Sequence, residues 1–260
     1  MLRAELKDVV RRGALIQRLP FGRRSGSTEP LPSTSELSVK YADVVQRIRS
    51  ASEERLGSKL PDRFHDIELA RYALHYGIMR VTDAEGKDLV IRDAMDAVLN
   101  SCRWFQEHRF ADITEVHEFS DLIWWEYNPK VNERPILHVN IGQAVKECKG
   151  EKALHFANVV ITLMELAVLE SPLSGIQMRG PIDRIDVEMY AHGVSSLSAS
   201  RVFWILRALV KTLSLHYPGR LHQLTLYDLP TVLNWIVTGV KRLVHEDTAR
   251  KLSSKKSQTI

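Results

Sequence analysis

The residues best placed to do chemistry in this chain are two carboxylates, Asp186 and Glu188, which alternate with Ile185, Val187 and Met189. A strand sends every second side chain to one side, so both acids project from one sheet face, as a general acid and base would have to. Nothing around them in sequence completes such a pair. A hydrolase nucleophile elbow reads G-x-S-x-G, and Gly193-Val194-Ser195-Ser196 lacks the second glycine, which leaves Ser195 as a turn residue or helix cap. Ten histidines are scattered, with no HExxH or HxxEH pair to present two imidazoles on one helix face. His138 and His222 in strands, and His75 in a helix, read as surface or hydrogen-bonded histidines. Neither GxGxxG nor GxxxxGK[ST] occurs, so the glycine-rich turn that cradles a nucleotide phosphate is missing and kinase and Rossmann dehydrogenase readings fall. Cys102 and Cys148 are the only cysteines, too few for a disulfide framework or a CxxC zinc site, and they favour a reducing, intracellular setting. No catalytic residue and no metal ligand is assigned, and the chain reads as a non-enzyme.

The elements that must position these residues change character along the chain. With 260 residues, 44% hydrophobic and 26% charged, the composition is that of a globular protein able to bury a core of its own. Residues 1–24 carry seven Lys and Arg with Leu2, Leu6, Val9, Val10, Leu15 and Ile16 at amphipathic spacing, which resembles a mitochondrial targeting segment; Glu5 and Asp8 fit a solvated helix instead. Residues 24–35, RSGSTEPLPSTS, have the composition of a linker. Helical patterns follow at Glu36 to Arg55, Asp62 to Met79 and Lys87 to His108. From Pro135, strands at Ile136 to Ile141, Arg184 to Tyr190 and Leu221 to Tyr227 alternate with helices at Glu151 to Leu169, Ala199 to His216 and Thr231 to Val244, the signature of βαβ crossovers. The fold class is therefore α/β, a largely parallel sheet with flanking helices behind a helical N-terminal subdomain. The expected division is a basic N-terminal segment and linker over 1–35, a helical subdomain over 36–110, an α/β domain over 111–252 and a basic tail over 253–260. The apolar stretch from Ala153 to Leu169 holds His155, Asn158, Thr162 and Glu165, and reads as a buried helix rather than a membrane span.

Charge is unevenly distributed. Residues 1–60 hold 12 Lys and Arg against 7 Asp and Glu, and residues 240–260 hold 6 against 2, so the net +4 sits at the two ends. Basic ends point to an anionic surface, an import signal or a partner subunit; a nucleic-acid binder would cluster its cations in the body among aromatics, and no specific nucleic acid is expected.

Several segments, taken in order, resemble the CRAL-TRIO lipid-binding family, whose members include the yeast phosphatidylinositol-transfer protein. These are Asp66 to Leu74 with Trp104, Asn132-Glu133-Arg134-Pro135-Ile136, Met189-Tyr190-Ala191-His192-Gly193-Val194-Ser195, and His216-Tyr217-Pro218-Gly219-Arg220-Leu221 followed by Leu229-Pro230 and Asp247-Thr248-Ala249-Arg250-Lys251. The resemblance spans about residues 60 to 252. It implies a helical bracket before an α/β domain whose sheet floors an acyl cavity closed by a mobile helix, a bound phospholipid as the one small-molecule ligand with no other cofactor, and no covalent chemistry. It also implies lipid-binding roles for Lys251, Tyr217, Tyr190 and Tyr227; the residues alone read Lys251 as a helix-terminal cation held by the macrodipole.

This chain departs from that pattern in three places. The family continues past the matched lysine with a further strand, a gate helix and a closing segment, whereas Leu252 to Ile260 is polar and basic and is not expected to form them. The strands alternate polar with apolar residues, although a sheet buried on both faces reads as continuous apolar runs. Gly219 replaces the glutamate commonly found after Tyr-Pro. Trp124 and Trp125, beside Tyr127, are candidates for a membrane interface or a partner surface, while Trp204 and Trp235 fall on apolar helix faces and are expected in the core. These departures lead to the expectation of an accessory or scaffold subunit of a mitochondrial or membrane-associated assembly, with other protein subunits as partners, a phospholipid or anionic membrane surface as a further contact, and residual or no lipid binding. The alternatives are a phospholipid-binding or lipid-transfer protein with an intact pocket, and a location that is cytoplasmic and peripheral to a membrane.

Overall fold

The computed structural model describes residues 34–126, 134–169, 184–242 and 246–256. The N-terminal segment, most of the linker, Tyr127, Asn132 and Glu133 lie outside the described residues. The chain divides into two compact units, with the break between His108 and Arg109.

The helical unit contains α1 (Thr34–Lys40), α2 (Ala42–Leu56), α3 (Asp66–His75), a short 3-10 turn at Ile78–Arg80 and α4 (Ala84–Glu107). The first expected helix is thus two, broken at Tyr41. Val44, Val45 and Ile48 of α2 meet Leu69 and Ala73 of α3 and Val90, Ala94 and Val98 of α4 in one buried cluster with Phe64. The apolar three- and four-residue spacing builds that stripe, as a helix packed on one side requires. Asp83 caps α4 by accepting from the Gly86 amide at 2.6 Å.

The second unit holds α5 (Ile113–Glu118), β1 (Ile123–Glu126), β2 (Ile136–Val139), α6 (Ile141–Glu147), α7 (Glu151–Leu169), β3 (Ile185–Tyr190), α8 (Ala199–His216), β4 (Leu221–Tyr227), α9 (Asn234–Lys241, after a 3-10 turn at Thr231–Leu233), α10 (Glu246–Arg250) and β5 (Leu252–Lys255). The sheet order is β1-β2-β3-β4-β5, antiparallel at β1–β2 and parallel elsewhere. Successive right-handed crossovers stepping one way along a sheet place their helices on one side of it.

Two expectations are corrected here. The residues after Lys251 do form a strand: the Leu224 amide donates to the Lys251 carbonyl and the Asp228 amide to the Lys255 carbonyl, so Ser253 to Lys255 belong to the sheet and not to a basic tail. Polar side chains do not prevent this because the ladder is a backbone interaction and β5 is an edge strand. The second correction concerns Trp204 and Trp235, which are 58% and 50% exposed rather than in the core; their neighbours Ile205, Leu206, Ile236 and Val237 take the inward positions.

No described helix is long and apolar enough to cross a membrane. In α7 the buried Thr162 hydroxyl accepts from the Ala111 amide at 2.9 Å and donates to the Asn158 carbonyl, so this polar residue is satisfied inside an apolar helix.

Candidate functional site

Strand alternation divides the sheet into two unlike faces. On one side lie Leu137, Val139, Val187, Met189, Leu224, Leu226 and Leu252, none more than 3% exposed. Gly142 opens this packing: a Cβ there would collide with the His192 carbonyl oxygen, so only glycine lets α6 approach that turn.

The other side is polar. The register sets Trp124 opposite His138, His138 opposite Glu188, Glu188 opposite Thr225, Tyr190 opposite Tyr227 and Thr225 opposite Ser253. Four strands therefore contribute a row of stacked rings: Trp124 on His138 at 5.1 Å, His138 on Tyr190 at 5.9 Å and Tyr190 on Tyr227 at 5.6 Å, with interplanar angles of 12°, 13° and 17°. Such cross-strand ring pairs contribute about 0.5–1.5 kcal/mol each beyond their buried area.

A hydrogen-bonded chain runs along the same row. His138 Nε2 lies 2.9 Å from Glu126 Oε2 and its Nδ1 lies 2.8 Å from the Tyr190 hydroxyl. Tyr190 donates to Glu188 Oε2 at 3.1 Å and Tyr227 to Glu188 Oε1 at 3.3 Å. The one hydroxyl proton of Tyr190 serves either Glu188 or His138 Nδ1. Turned toward the ring, it leaves Nε2–H to donate to Glu126; turned toward Glu188, it requires a proton on Nδ1. Burial, and then the charge of Glu188, push the Tyr190 hydroxyl well above its ordinary titration range.

At the other end of β3, Asp186 accepts from His222 Nδ1 at 2.8 Å and lies 3.8 Å from Arg134 Nε. The register shifts by one residue at this point, Ile185 pairing with Leu221 but Asp186 with Gln223. His222 is the extra residue, and the bulge re-aims it toward Asp186. Asp186 and Glu188 do share a face, with Glu188 held by two tyrosine hydroxyls and Asp186 by a histidine. Among the described residues no three His, Cys, Asp or Glu side chains converge as a metal site needs.

The four residues that the resemblance marks for lipid fall into two pairs. Tyr190 and Tyr227 belong to the ring row at the C-terminal ends of β3 and β4. Tyr217 and Lys251 precede β4 and β5, at the opposite end of strands about 20 Å long. There they line one cavity of about 10 Å³ with Leu213, Ser214, Gly219 and Thr248, room for a single water. Gly219 in the turn has φ +70°, a left-handed conformation that glycine adopts without strain and glutamate does not. Trp124 and Trp125 are both half-buried in edge strand β1; alternation places Trp124 in the ring row and Trp125 on the opposite side.

The sequence reading did not single out Glu126, Thr225 or Ser253 and took His138 and His222 as ordinary hydrogen-bonded residues. A sequence signal for α5 existed: Asp112 and Glu115 form a capping box, the Asp112 carboxylate accepting from the Glu115 amide at 3.0 Å and Glu115 accepting from the Asp112 amide at 2.8 Å.

The sequence pattern of the CRAL/TRIO domain matches residues 121–260, which includes all five strands. The chain belongs to the CRAL/TRIO family. The solved structure of Sfh5 superposes on it with a TM-score of 0.52 at 14% identity, covering 88% of this chain and 82% of that one. At that identity the likeness speaks to the fold. No curated protein sequence matches the chain. CRAL/TRIO membership makes this a protein of a lipid-binding family, with a mixed α/β fold and a helical N-terminal region.

Proposed function

We propose that this CRAL/TRIO protein is a non-enzymatic accessory or scaffold subunit of a membrane-associated or mitochondrial assembly, and that its sheet binds acyl lipid weakly or not at all. One observation carries the reading: neither sheet face offers an open apolar floor. The apolar face is packed to core-like burial, with Leu137, Val139 and Leu224 at 0% exposure. The other face carries Glu126, His138, Asp186, Glu188, Tyr190 and Tyr227 in mutual hydrogen bonds. An acyl chain gains about 0.8 kcal/mol per methylene transferred to an apolar surface, and laying it over carboxylates forfeits that gain and removes water from the charges. Native mass spectrometry of the protein from its natural source tests this. The expected spectrum shows the chain with protein partners and no stoichiometric phospholipid; the chain alone with one phospholipid per copy overturns it. Residues 1–24 are proposed to direct the protein to the mitochondrion, which imaging of tagged chains with and without them checks, a cytoplasmic, membrane-peripheral signal being the contrary result.

Family membership, and the shared cavity of Tyr217 and Lys251, favour a second reading: a phospholipid-binding or lipid-transfer protein whose headgroup contact is Lys251. Transfer of fluorescent phospholipid between vesicles, lost on Lys251→Ala, supports it; no transfer with any vesicle composition disposes of it.

A further inference from the structure

The two tryptophans that leave the core lie together. Phe203 of α8 stands between them, its ring 5.8 Å from Trp204 and 5.8 Å from Trp235 of α9. Gly239 makes room for this contact, since a Cβ there would meet the Phe203 ring at 3.0 Å. Val232, one turn before Trp235, is 73% exposed, and Leu197, just before α8, is 91% exposed. The parallel crossovers put the first turns of α8 and α9 at the same edge of the sheet, beyond the C-terminal ends of β3 and β4. Isolated exposed apolar residues are ordinary, but two half-exposed indoles bridged by a third ring across two helices form a patch.

Charge around this patch is of one sign. Neither α8 nor α9 contains an Asp or Glu. The Arg207 guanidinium lies over the Trp204 ring, 4.9 Å from its centroid, Lys211 is exposed one turn further on, and Arg242 is exposed two turns beyond Trp235. Indole rings with an apolar body and a polar N–H settle at the headgroup level of a bilayer, and cations beside them attract anionic headgroups at about 1 kcal/mol each. An acid-free surface with paired tryptophans has this complementarity.

We propose that α8 and α9 together dock on an anionic phospholipid bilayer, with Trp204 and Trp235 at headgroup depth and Arg207, Lys211 and Arg242 against lipid phosphates. The proposal deepens the membrane association proposed above and uses a different surface from the sheet.

Co-sedimentation of the full chain with vesicles of phosphatidylcholine plus phosphatidylserine, against phosphatidylcholine alone, tests it. The chain is expected to prefer the anionic vesicles, with binding that weakens as salt is raised and indole fluorescence that shifts to the blue. Trp204→Ala and Trp235→Ala should each weaken binding about ten-fold, from losing part of an interfacial side chain, with circular dichroism unchanged because both side chains are exposed. Leu154→Ala, at an exposed leucine of α7, should leave binding unaltered. Equal binding by the double tryptophan variant, or no preference for anionic vesicles, overturns the proposal. So does an absence of vesicle binding in a chain whose tryptophans are instead covered by a protein subunit. Native mass spectrometry judges the subunit reading separately, so either idea can fail while the other stands.

Discussion

The two faces of the sheet are built from the same strands and alternate residues, and they are held by different physics. Leu224 and Thr225 are adjacent in β4 and 0% and 1% exposed. Leu224 is fixed by close packing, which is non-directional and punishes lost volume. Thr225 accepts a hydrogen bond from Ser253 at 3.3 Å, and its face is fixed by partners, which punish lost polar atoms. Burial alone therefore does not say what a position tolerates; the chemistry of its face does.

The largest effect that would sharpen this contrast is at Leu224. Leu224→Ala should cost about 2–5 kcal/mol, whereas Thr225→Val, which keeps the shape, should cost about 1 kcal/mol or less, both read from urea denaturation. Equal losses would break the comparison. Next comes Gly142→Ala, where the added methyl meets the His192 carbonyl oxygen and overpacking should cost about 1–3 kcal/mol.

Tyr190→Phe keeps the stacked ring and removes the hydroxyl between His138 and Glu188, which should cost about 1–2 kcal/mol. The same variant gives a pH signature. The folded-state titration of Tyr190 lies above its ordinary value of 10.0, so folding holds this proton more tightly than the unfolded chain does. Its contribution is intact below pH 10.0 and is lost as pH rises beyond it. Thermal melts of the wild type should fall more steeply above that pH than those of Tyr190→Phe; parallel slopes would remove Tyr190 from the account. The smallest expected effect is Lys251→Ala, about 0.3–1 kcal/mol if the lysine acts only on the helix-end dipole, measured with and without phospholipid vesicles to separate that role from headgroup binding.

Much of the architecture is legible in residue periodicity. Ile185 to Tyr190 and Leu221 to Tyr227 coincide with β3 and β4, and Ala199 to His216 with α8, because their patterns are long, regular and bounded by turn residues. Alternation likewise put Asp186 and Glu188 on one face. Short elements escaped: β1 has four residues, and Trp124-Trp125 read as a surface anchor because nothing local reveals that they pair with Leu137 and His138. Ser253 to Lys255 became a strand through carbonyls facing β4, an interaction that side-chain composition does not encode.

By itself the sequence determined the order and type of the long elements and the two-sidedness of the sheet, since both follow from which residues recur every two or every three to four positions. Only the tertiary structure decided which polar residues meet. Strand register brought Glu126, His138, Tyr190, Glu188 and Tyr227 into one hydrogen-bonded row, and a single bulged residue turned His222 to Asp186. The packing of α8 beside α9 likewise turned Trp204 and Trp235 outward. These contacts join residues distant in sequence, and their geometry is set by pairing and packing between elements, to which local periodicity is blind.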